Sequence, residues 1–567
     1  MKTKCFSIFL FFLLCNQIQA VVRYVTPAGG LSMNGSNWAN AYPGTSLQTA
    51  INSSIAGDEV WVMSGTYFTT LTNNRNIYFS MINGVAIYGS FNGTETNISQ
   101  RNFSCGFTSV LSAEIGIAGI DDNSYHVINN SSLNNTAILD GFTIRDANAT
   151  FDLVGNDNRS LGGGMLNNAA NNGTCSPTIR NCLFTANNAL FGGGIFNHGQ
   201  NNGNANPEIT NCIFAFNMAT SGGGGIDNFG YNGNASPVIT NSIFYSNTAV
   251  GRAGGMYCWG GGGGNANPVI LNSVFINNSS IDGGGIVSDR SNFAPASFSG
   301  TANPTIRNSI FWGNTASGIG PQFFLIGGAG FIATYSAIGT TNQNSPHIIT
   351  GAGTGNIFTA PTFLNIADAD GADNCWLTID DGLQLLFGSV GIDVGNNVGL
   401  PAFDIRNYNR VNNAVVDMGA YELCSSVVTS GANSGAGTLR AALACAMSGS
   451  TITIDPIVTM VTLSDTLLIN KNITIKGVNG SPSMLNFDLT SQNLGIRVAP
   501  TITATLEDIK LNQAGGPVIK SLLLNEGNLT LKNSSAFNPL VPPLVNSNGA
   551  GNVTIVGLVE IKAISGM

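Results

Sequence analysis

A unit of about 30 residues recurs five times between residues 162 and 316, and no other feature of the sequence constrains the fold as strongly. The apolar residue that closes each glycine run recurs at steps of 30, 31, 30 and 30 residues, at Met165, Ile195, Ile226, Met256 and Ile286. An isoleucine column follows, at Ile179, Ile209, Ile239, Ile270 and Ile306. A phenylalanine column comes next, at Phe184, Phe214, Phe244, Phe275 and Phe311. An asparagine closes each unit, at Asn187, Asn217, Asn247, Asn278 and Asn314.

The composition of this unit predicts strands rather than helices. Its apolar runs are short and rich in Ile, Val and Phe, and Gly, Asn and Pro separate them, as strands and turns require. One unit cannot bury its apolar face alone, so each unit must stack on its neighbour. Asparagine tolerates the left-handed backbone angles of turns, and stacked amides can hydrogen-bond from one unit to the next. We therefore predict an all-β fold, a right-handed parallel β-helix with one coil per repeat.

Composition and charge exclude two classes of protein. Charged residues make up 9% of the 567 residues and hydrophobic residues 43%, which is unlike the composition of disordered chains. The formal net charge is −9 and the sequence pI is about 4.8. An acidic chain of this kind is a poor partner for nucleic acid.

The first 20 residues have the pattern of a secretory signal peptide. Lys2 and Lys4 precede an apolar run from Phe6 to Cys15, and Ala20 offers a cleavage site. The run is too short to cross a bilayer, and no other segment reaches the ~18 apolar residues that a transmembrane helix needs. Lipidation at Cys15 is the less favoured alternative. We therefore expect an exported protein, located outside the cell or at the outer-membrane surface.

Two distant stretches predict a division into two domains. Residues 46–62 and 438–454 align without a gap, and each has the pattern of a short amphipathic helix followed by glycine and a strand. An open solenoid end exposes strand edges and core side chains, so it needs a cap. We interpret both stretches as N-terminal caps of two solenoids in tandem, at residues 21–423 and 424–567, with the boundary near Cys424.

Several motifs resemble those of known surface proteins. The repeat, with its GGGI and F-x-x-N elements, resembles the repeats of polymorphic outer-membrane proteins. Two further stretches resemble the choice-of-anchor Q family of secreted bacterial surface proteins. They are the opening, RYVTPAGG…GSNWANAY…AGDEVWVMSGTY (residues 23–67), and the close, GSVGIDVGNN…DIRNYNRVNNAVVDMGAYE (residues 388–422). The resemblance implies an extracellular or outer-membrane location and no settled catalytic activity. We therefore predict a non-catalytic protein with an adhesive, structural or ligand-presenting role, whose partner is an extracellular glycan or a protein surface.

A polysaccharide-binding or polysaccharide-degrading protein is the alternative, and a passive spacer is a third hypothesis, because the fold alone does not decide function. Sugar hydrolysis needs two carboxylates on one face. The repeat columns offer no such pair: Asp227 is the one acid in its column, and Asp282 shares a column with Arg252, which predicts an ion pair between coils. His198 falls in a column of aromatic residues and suits a stacked turn position. The sequence therefore predicts no catalytic and no cofactor-binding residues.

One acidic loop is a candidate calcium site. Calcium prefers several oxygen ligands from a flexible acidic loop. The sequence DADGADNCWLTIDD supplies Asp368, Asp370, Asp373, Asp380 and Asp381. The spacing departs from that of an EF-hand, and a solvated loop with turn-forming aspartates is the favoured interpretation. Calcium is the one cofactor that the sequence suggests.

The cysteines leave their pairing open. Eight lie beyond the signal peptide, at Cys105, Cys175, Cys182, Cys212, Cys258, Cys375, Cys424 and Cys445. An even number in an exported protein permits disulfides. Cys182 and Cys212 share a column on successive coils, and the ~4.8 Å spacing between strands falls within the range for a bridge. Free cysteines are also ordinary core residues, and we slightly favour that interpretation for this pair.

Overall fold

The computed structural model describes residues 20–563, with gaps at 104, 152–156, 293–298, 340–352, 379, 387, 412–414, 424–425, 435–436, 447, 479–481, 488–493, 514–520, 539–544, 547–551 and 557–559. The predicted signal peptide, residues 1–20, lies outside the described residues apart from its last position. The predicted boundary at Cys424 lies in one of the gaps. No helix in the described part of the chain is long and apolar enough to cross a membrane.

The first part of the chain forms three sheets, and every pairing between their strands is parallel. Sheet I contains Val22–Thr26, Tyr42–Pro43, Glu59–Met63, Gly65–Phe68, Ala86–Phe91, Ser109–Ser112, Ile138–Arg145, Thr178–Thr185, Glu208–Thr210, Ile213–Ala215, Val238–Thr240, Ile243–Tyr245, Val269–Leu271, Val274–Ile276, Thr305–Arg307, Ile310–Trp312, Ile332–Thr334 and Ala337–Ile338. Sheet II contains Ile128–Ser131, Met165–Asn168, Ile195–His198, Ile226–Phe229, Met256–Trp259, Ile286–Asp289 and Phe323–Ile326. Sheet III contains Asn148–Ala149, Asn188–Phe191, Met218–Gly222, Thr248–Ala249, Ser279–Ser280 and Thr315–Ala316. The chain visits the three sheets in turn, so the fold is the predicted right-handed parallel β-helix.

The register of the strands confirms the predicted columns. Each isoleucine of the repeat pairs with its equivalent one coil away, and all five are fully buried. The five phenylalanines are also fully buried, and their rings stack with centroids 5.0, 4.7, 4.1 and 4.5 Å apart. Both columns belong to one continuous hydrophobic core that runs along the inside of the coils. Burial of this apolar surface is the main stabilising contribution to the fold.

Helices are few and short. The first predicted capping helix forms at Leu47–Asn52, and its buried residues Leu47, Ala50 and Ile51 pack into the main core. Single turns of 3-10 helix occur at Trp38–Asn40, Gly44–Ser46, Ile98–Gln100 and Asn158–Ser160. The helix therefore contributes its apolar side to the main core, and its role as a cap stays a prediction.

The last part of the chain forms three further parallel sheets of its own. Sheet IV contains Val427–Val428, Ser450–Ile454, Ile473–Lys476, Thr503–Glu507, Asn528–Lys532 and Asn552–Val556. Sheet V contains Met460–Leu463, Ser483–Phe487, Ile509–Gln513, Ser535–Asn538 and Glu560–Ala563. Sheet VI contains Leu467–Ile469, Leu494–Val498, Ser521–Asn525 and Val545–Asn546. The second predicted helix forms at Leu439–Cys445, and Leu439, Ala442 and Leu443 are buried in a hydrophobic cluster separate from the main core. The boundary between two domains stays a prediction.

Buried asparagine side chains form a ladder along the inside of the first β-helix. In this amide ladder, the side-chain amides of Asn187, Asn217, Asn247, Asn278 and Asn314 donate to one another in sequence, at 3.0, 3.0, 2.9 and 2.8 Å. The Asn247 side chain also donates to the Phe214 carbonyl at 2.8 Å, and it accepts from the Asn217 backbone amide at 3.1 Å. Each amide thereby satisfies backbone groups that water cannot reach, which confirms the predicted bonding between units.

Removal of one amide from this ladder should destabilise the protein strongly. In Asn247→Ala, the Phe214 carbonyl and the Asn217 amide lose their partners while they remain buried, so we expect a loss of about 3 kcal/mol or more in the free energy of unfolding. Chemical denaturation measures this loss. The control is Asn202→Gly, because Asn202 makes a similar bond to Asn172 at 3.3 Å on the exposed surface. The control should lose less than about 1 kcal/mol, and equal losses in the two variants would contradict the role given to the ladder.

A segment at residues 357–421, the covering segment, packs against the outer side of sheet I. Its buried residues Phe363, Trp376 and Leu385 share a hydrophobic cluster with Ile243 and Val274 of sheet I, which lie outside the main core. The outer side of this sheet is therefore covered by the chain itself.

A buried arginine organises the end of the covering segment. Arg410 is 1% exposed, and its guanidinium donates to the carbonyls of Ala420, Gly419 and Asp417. Residues 417–420 of the closing motif thus fold around the Arg410 guanidinium. These hydrogen bonds supply partners for a charge that burial would otherwise make costly.

A disulfide joins the covering segment to the earlier coils. Cys105 and Cys375 are bonded, at a sequence separation of 270. The sequence left this pairing open, because two cysteines so far apart share no repeat column. Cys182 and Cys212 are free and buried, in agreement with the favoured interpretation, and Cys175 and Cys258 are also free.

Loss of this bridge should destabilise the covering segment. A bridge across a long stretch of chain restricts the unfolded ensemble, so we expect Cys105→Ser to lower stability by about 2–4 kcal/mol. Differential scanning calorimetry measures the change, and intact mass before and after reduction checks the bond. The reduced and alkylated wild-type protein is the matched control and should melt with the variant. A variant that melts with the oxidised wild type would show that the bridge has no stabilising role.

Candidate functional site

The outer side of sheet II carries two columns of side chains that face away from the main core. Side chains alternate between the two sides of a strand, and Ile195, Ile226, Met256 and Ile286 point into the core. The first outer column consists of Leu166, Phe196, Asp227, Tyr257, Val287 and Phe324. The second consists of Asn168, His198, Phe229, Trp259, Asp289 and Ile326. We call these two columns, together with the adjoining Tyr231 and Arg252, the sheet II face.

Aromatic rings are concentrated on this face. The Phe229 ring lies 6.0 Å from the Phe196 ring and 5.1 Å from the Trp259 ring, between centroids. Tyr231 adjoins both, at 6.2 Å from Phe229 and 6.0 Å from Trp259. Phe229, Tyr231 and Trp259 are partly exposed, whereas Phe196 is buried. The rings therefore form a continuous aromatic surface that solvent reaches.

His198 lies at the edge of this aromatic surface. Its ring is 5.7 Å from Phe229 and 5.4 Å from Phe196, and Nε2 lies 3.3 Å from the Gln200 side-chain oxygen. Burial lowers the pKa of His198, so the imidazole is neutral at physiological pH. His198 lies among aromatic rings as the sequence predicts, but it ends the strand Ile195–His198 rather than lying in a turn.

Asp227 breaks the apolar pattern of the first outer column. It is 1% exposed, and neither carboxylate oxygen has a hydrogen-bond partner. Its neighbours in register are Phe196 and Tyr257. Burial raises the pKa of Asp227 well above its ordinary value, because nothing nearby compensates for the lost hydration of the charge. An acid kept in such surroundings costs stability, and such exceptions concentrate at functional sites.

A polar group lies beside the aromatic surface. The Tyr257 hydroxyl donates to Asp289 Oδ2 at 2.8 Å, and the Ser291 amide donates to Asp289 Oδ1 at 2.7 Å. Arg252 Nη1 lies 3.7 Å from Asp289 Oδ2, and the Arg252 side chain is 45% exposed whereas that of Asp289 is 2% exposed. We call Arg252, Tyr257 and Asp289 the polar triad. Burial, followed by the charge of Asp289, raises the pKa of Tyr257 well above its usual range, so this phenol keeps its proton.

The prediction that Arg252 forms an ion pair with Asp282 is wrong, because its partner is Asp289. Arg252 and Asp282 do lie opposite each other on neighbouring coils. Arg252 nevertheless pairs with Asp289, and Asp282 Oδ1 accepts from the Ile319 amide at 3.2 Å. The arginine side chain is long enough to pass its direct neighbour and to reach a carboxylate that Tyr257 already holds in place.

The five aspartates of the predicted calcium loop have different surroundings in the structure. Burial, together with the charges of Asp368, Asp373 and Asp380, raises the pKa of Asp370. The Thr378 hydroxyl donates to Asp380 Oδ1 at 2.6 Å. No three of these acids bring ligand atoms within 4.8 Å of one another, among the residues that the structure describes. The calcium site stays a prediction.

Asp381, the fifth of these acids, has a set of protein partners. It is fully buried, and its carboxylate accepts from the Leu377 amide at 2.9 Å, the Thr378 amide at 3.1 Å and the Tyr421 hydroxyl at 2.7 Å. Burial raises its pKa to about 6. These bonds tie two parts of the covering segment together, which is a structural role.

A second acidic group lies within the covering segment. Ligand atoms of Asp393, Asp417 and Glu422 lie within 4.8 Å of one another. The Asp417 carboxylate accepts from the backbone amides of Asp393 at 2.8 Å and Leu423 at 2.7 Å. Burial lowers the pKa of Arg410, and the charges of Glu422, Asp404 and Asp417 oppose that shift. This arrangement is typical of an internal charge network that holds a loop.

Comparisons with known proteins give no assignment of family. No family model matches the chain, and no curated protein matches it. Among solved structures, the chain is similar to pectate lyase Pel9A, with 13% identity, a TM-score of 0.33, and coverage of 72% of this chain and 97% of that one. It is also similar to the family PL6 alginate lyase AlyGC, with 10% identity, a TM-score of 0.20, and coverage of 96% and 81%. Similarity at this level does not assign a function.

Replacement of Asp227 should stabilise the protein. Leucine occupies the same column at Leu166, so we expect Asp227→Leu to raise the free energy of unfolding at neutral pH by about 1–3 kcal/mol. Because the folded-state pKa is raised, the wild-type protein is most stable below the unfolded pKa of a carboxyl group, ~3.9, and loses stability as pH rises from there through the folded pKa.

The difference between variant and wild type should therefore widen with pH over that window, and thermal melts at several pH values measure it. Asp227→Asn is the control that keeps the size of the side chain and removes the titration. If the wild-type and Asp227→Asn melting curves run parallel at all pH values, the raised pKa assigned to Asp227 is wrong.

Proposed function

We propose that this chain is an exported, non-catalytic β-helix protein that binds an extended glycan on the sheet II face. The observation that carries the proposal is the aromatic surface of Phe229, Tyr231 and Trp259. Sugar rings present faces of C–H bonds that stack on aromatic rings, and Tyr and Trp combine a large apolar surface with a polar atom. Binding sites in general combine apolar and aromatic walls with a few well-placed polar groups.

The arrangement along the coils favours an extended ligand. Neighbouring coils repeat the face at the spacing of parallel strands, ~4.8 Å, so ring positions follow one another in a line. A glycan chain is a linear series of similar rings and fits such a surface better than a compact ligand does.

The protonation of Tyr257 and the burial of Asp227 favour binding over cleavage. Tyr257 holds its proton, so it is a poor base near neutral pH. The carboxylate oxygens of Asp227 are covered by the protein and cannot reach a substrate in this conformation. The function that fits best is therefore adhesion to, or presentation of, a glycan at the cell surface or in the surrounding medium.

Glycan-array binding followed by affinity measurement tests this proposal. Trp259→Ala and Tyr231→Ala should each weaken binding about tenfold or more, which corresponds to ~1.4 kcal/mol for a ring at the centre of an interface. The matched control is Phe216→Ala, because Phe216 is 55% exposed and lies outside the sheet II face. The control should bind as the wild type does.

The same experiment separates binding from cleavage. Incubation of the bound glycan with the protein should release no new reducing ends and no unsaturated products. Absence of binding to every glycan would overturn the proposal, and so would equal losses in the three variants. Release of product would favour the degradative alternative instead.

A further inference from the structure

The charges beside the aromatic surface limit which glycan the sheet II face can bind. Sequence positions 5–470 contain no lysine, so arginine supplies the side-chain cations of the first β-helix. On the sheet II face Arg252 pairs with Asp289, and Asp282 lies opposite Arg252 in the backbone register on the next coil. Asp289 offsets the charge of Arg252 at the place where a ligand would lie, because the two side chains form an ion pair.

An anionic sugar would meet repulsion at this place. A carboxylate or sulfate that approached Arg252 would also approach the Asp289 carboxylate, and the like charges would oppose binding. Proteins that bind anionic groups present unneutralised arginine or lysine to them. Here Asp289 already neutralises the arginine.

Uncharged hydroxyl groups match the polar triad. A guanidinium has five N–H donors in a planar arrangement. The contact of Arg252 with Asp289 is an ion pair at 3.7 Å, longer than a hydrogen bond, and the side chain is 45% exposed. Its donors therefore lie within reach of hydroxyl oxygens on a ligand. Trp259 pairs in register with Asp289, which places the ring and the polar triad side by side.

We propose that the ligand of the sheet II face is an uncharged glycan, and that Arg252 is the polar anchor that donates to its hydroxyl groups. This inference rests on the proposed function of glycan binding. Arg252 binds hydroxyls while Asp289 cancels its charge, and Trp259 stacks on the adjoining sugar ring. Asp289 and Tyr257 are positioning residues, since they hold the arginine and do not touch the ligand.

The test uses the full mature chain and pairs of polymers that differ only in charge. The probes are polygalacturonate and alginate, the carboxyl-reduced forms of both polymers, and neutral glucan, mannan and xylan oligosaccharides. We expect binding to at least one uncharged probe, with little change in affinity up to ~1 M salt, where ionic attraction is screened. We expect each carboxylate polymer to bind more weakly than its reduced form.

Two variants test the anchor. Arg252→Gln should weaken binding of the uncharged probe about tenfold, the effect of one lost hydrogen-bonding anchor. Asp289→Asn leaves the arginine charge uncompensated, so it should raise affinity for the carboxylate polymers. The control is Arg145→Gln: Arg145 is 46% exposed and pairs with Asp146 at 3.1 Å, away from the sheet II face. It should change neither affinity.

The possible outcomes separate three claims: the preference for an uncharged glycan, the role of Arg252, and glycan binding itself. A preference of the wild type for carboxylate polymers, lost in high salt, would overturn the inference and leave glycan binding intact. Unchanged binding in Arg252→Gln would overturn the role of the anchor. If no probe binds, the proposed function fails as well. Circular dichroism and melting temperature check that each variant is folded.

Discussion

Hydrogen bonds between stacked asparagine side chains are the interaction on which the geometry of the first β-helix depends. An amide carries both a donor and an acceptor, so one residue type can repeat without limit along a stack, which a carboxylate or an ammonium group cannot do. Within the low dielectric of the core these bonds reinforce one another. Between Asn278 and Asn314 the spacing grows to 36 residues, yet the bond is 2.8 Å long. The ladder therefore fixes the position at which each coil ends, even when a coil contains more residues than its neighbours.

The interior of the fold could be predicted from the sequence because it repeats. A column such as Ile179 to Ile306 is visible in the sequence, since each member occupies the same environment one coil further along. The two short helices were predictable for a similar reason, as their patterns match each other. The covering segment was not, because it has no repeat and its contacts join positions far apart in the chain. The bond between Cys105 and Cys375 is the clearest case.

The candidate site could be predicted only in part. Asp227 was visible as an exception in its column, but its full burial and lack of partners required the structure. The aromatic residues of the sheet II face could be found in the sequence individually. Their proximity could not be predicted, because Tyr231 lies beyond the end of the strand Ile226–Phe229 and contacts Phe229 and Trp259 from there. The partner of Arg252 was predicted wrongly, since sequence columns describe backbone positions and a long side chain can pass its direct neighbour. Side-chain reach is the information that a column does not contain.

The parallel register of the coils separates the requirements of folding from those of recognition. On each strand of sheet II, the residues that face inward are apolar or small and polar, such as asparagine, cysteine and serine, while their neighbours that face outward range from leucine to aspartate to tryptophan. Each coil thus contributes two freely variable positions to a surface whose spacing the interior has already set. Duplication or loss of a whole coil would lengthen or shorten that surface without disturbing its period. Under the proposed binding function, a substitution at an outward position or a change in the number of coils would alter the ligand that the sheet II face binds.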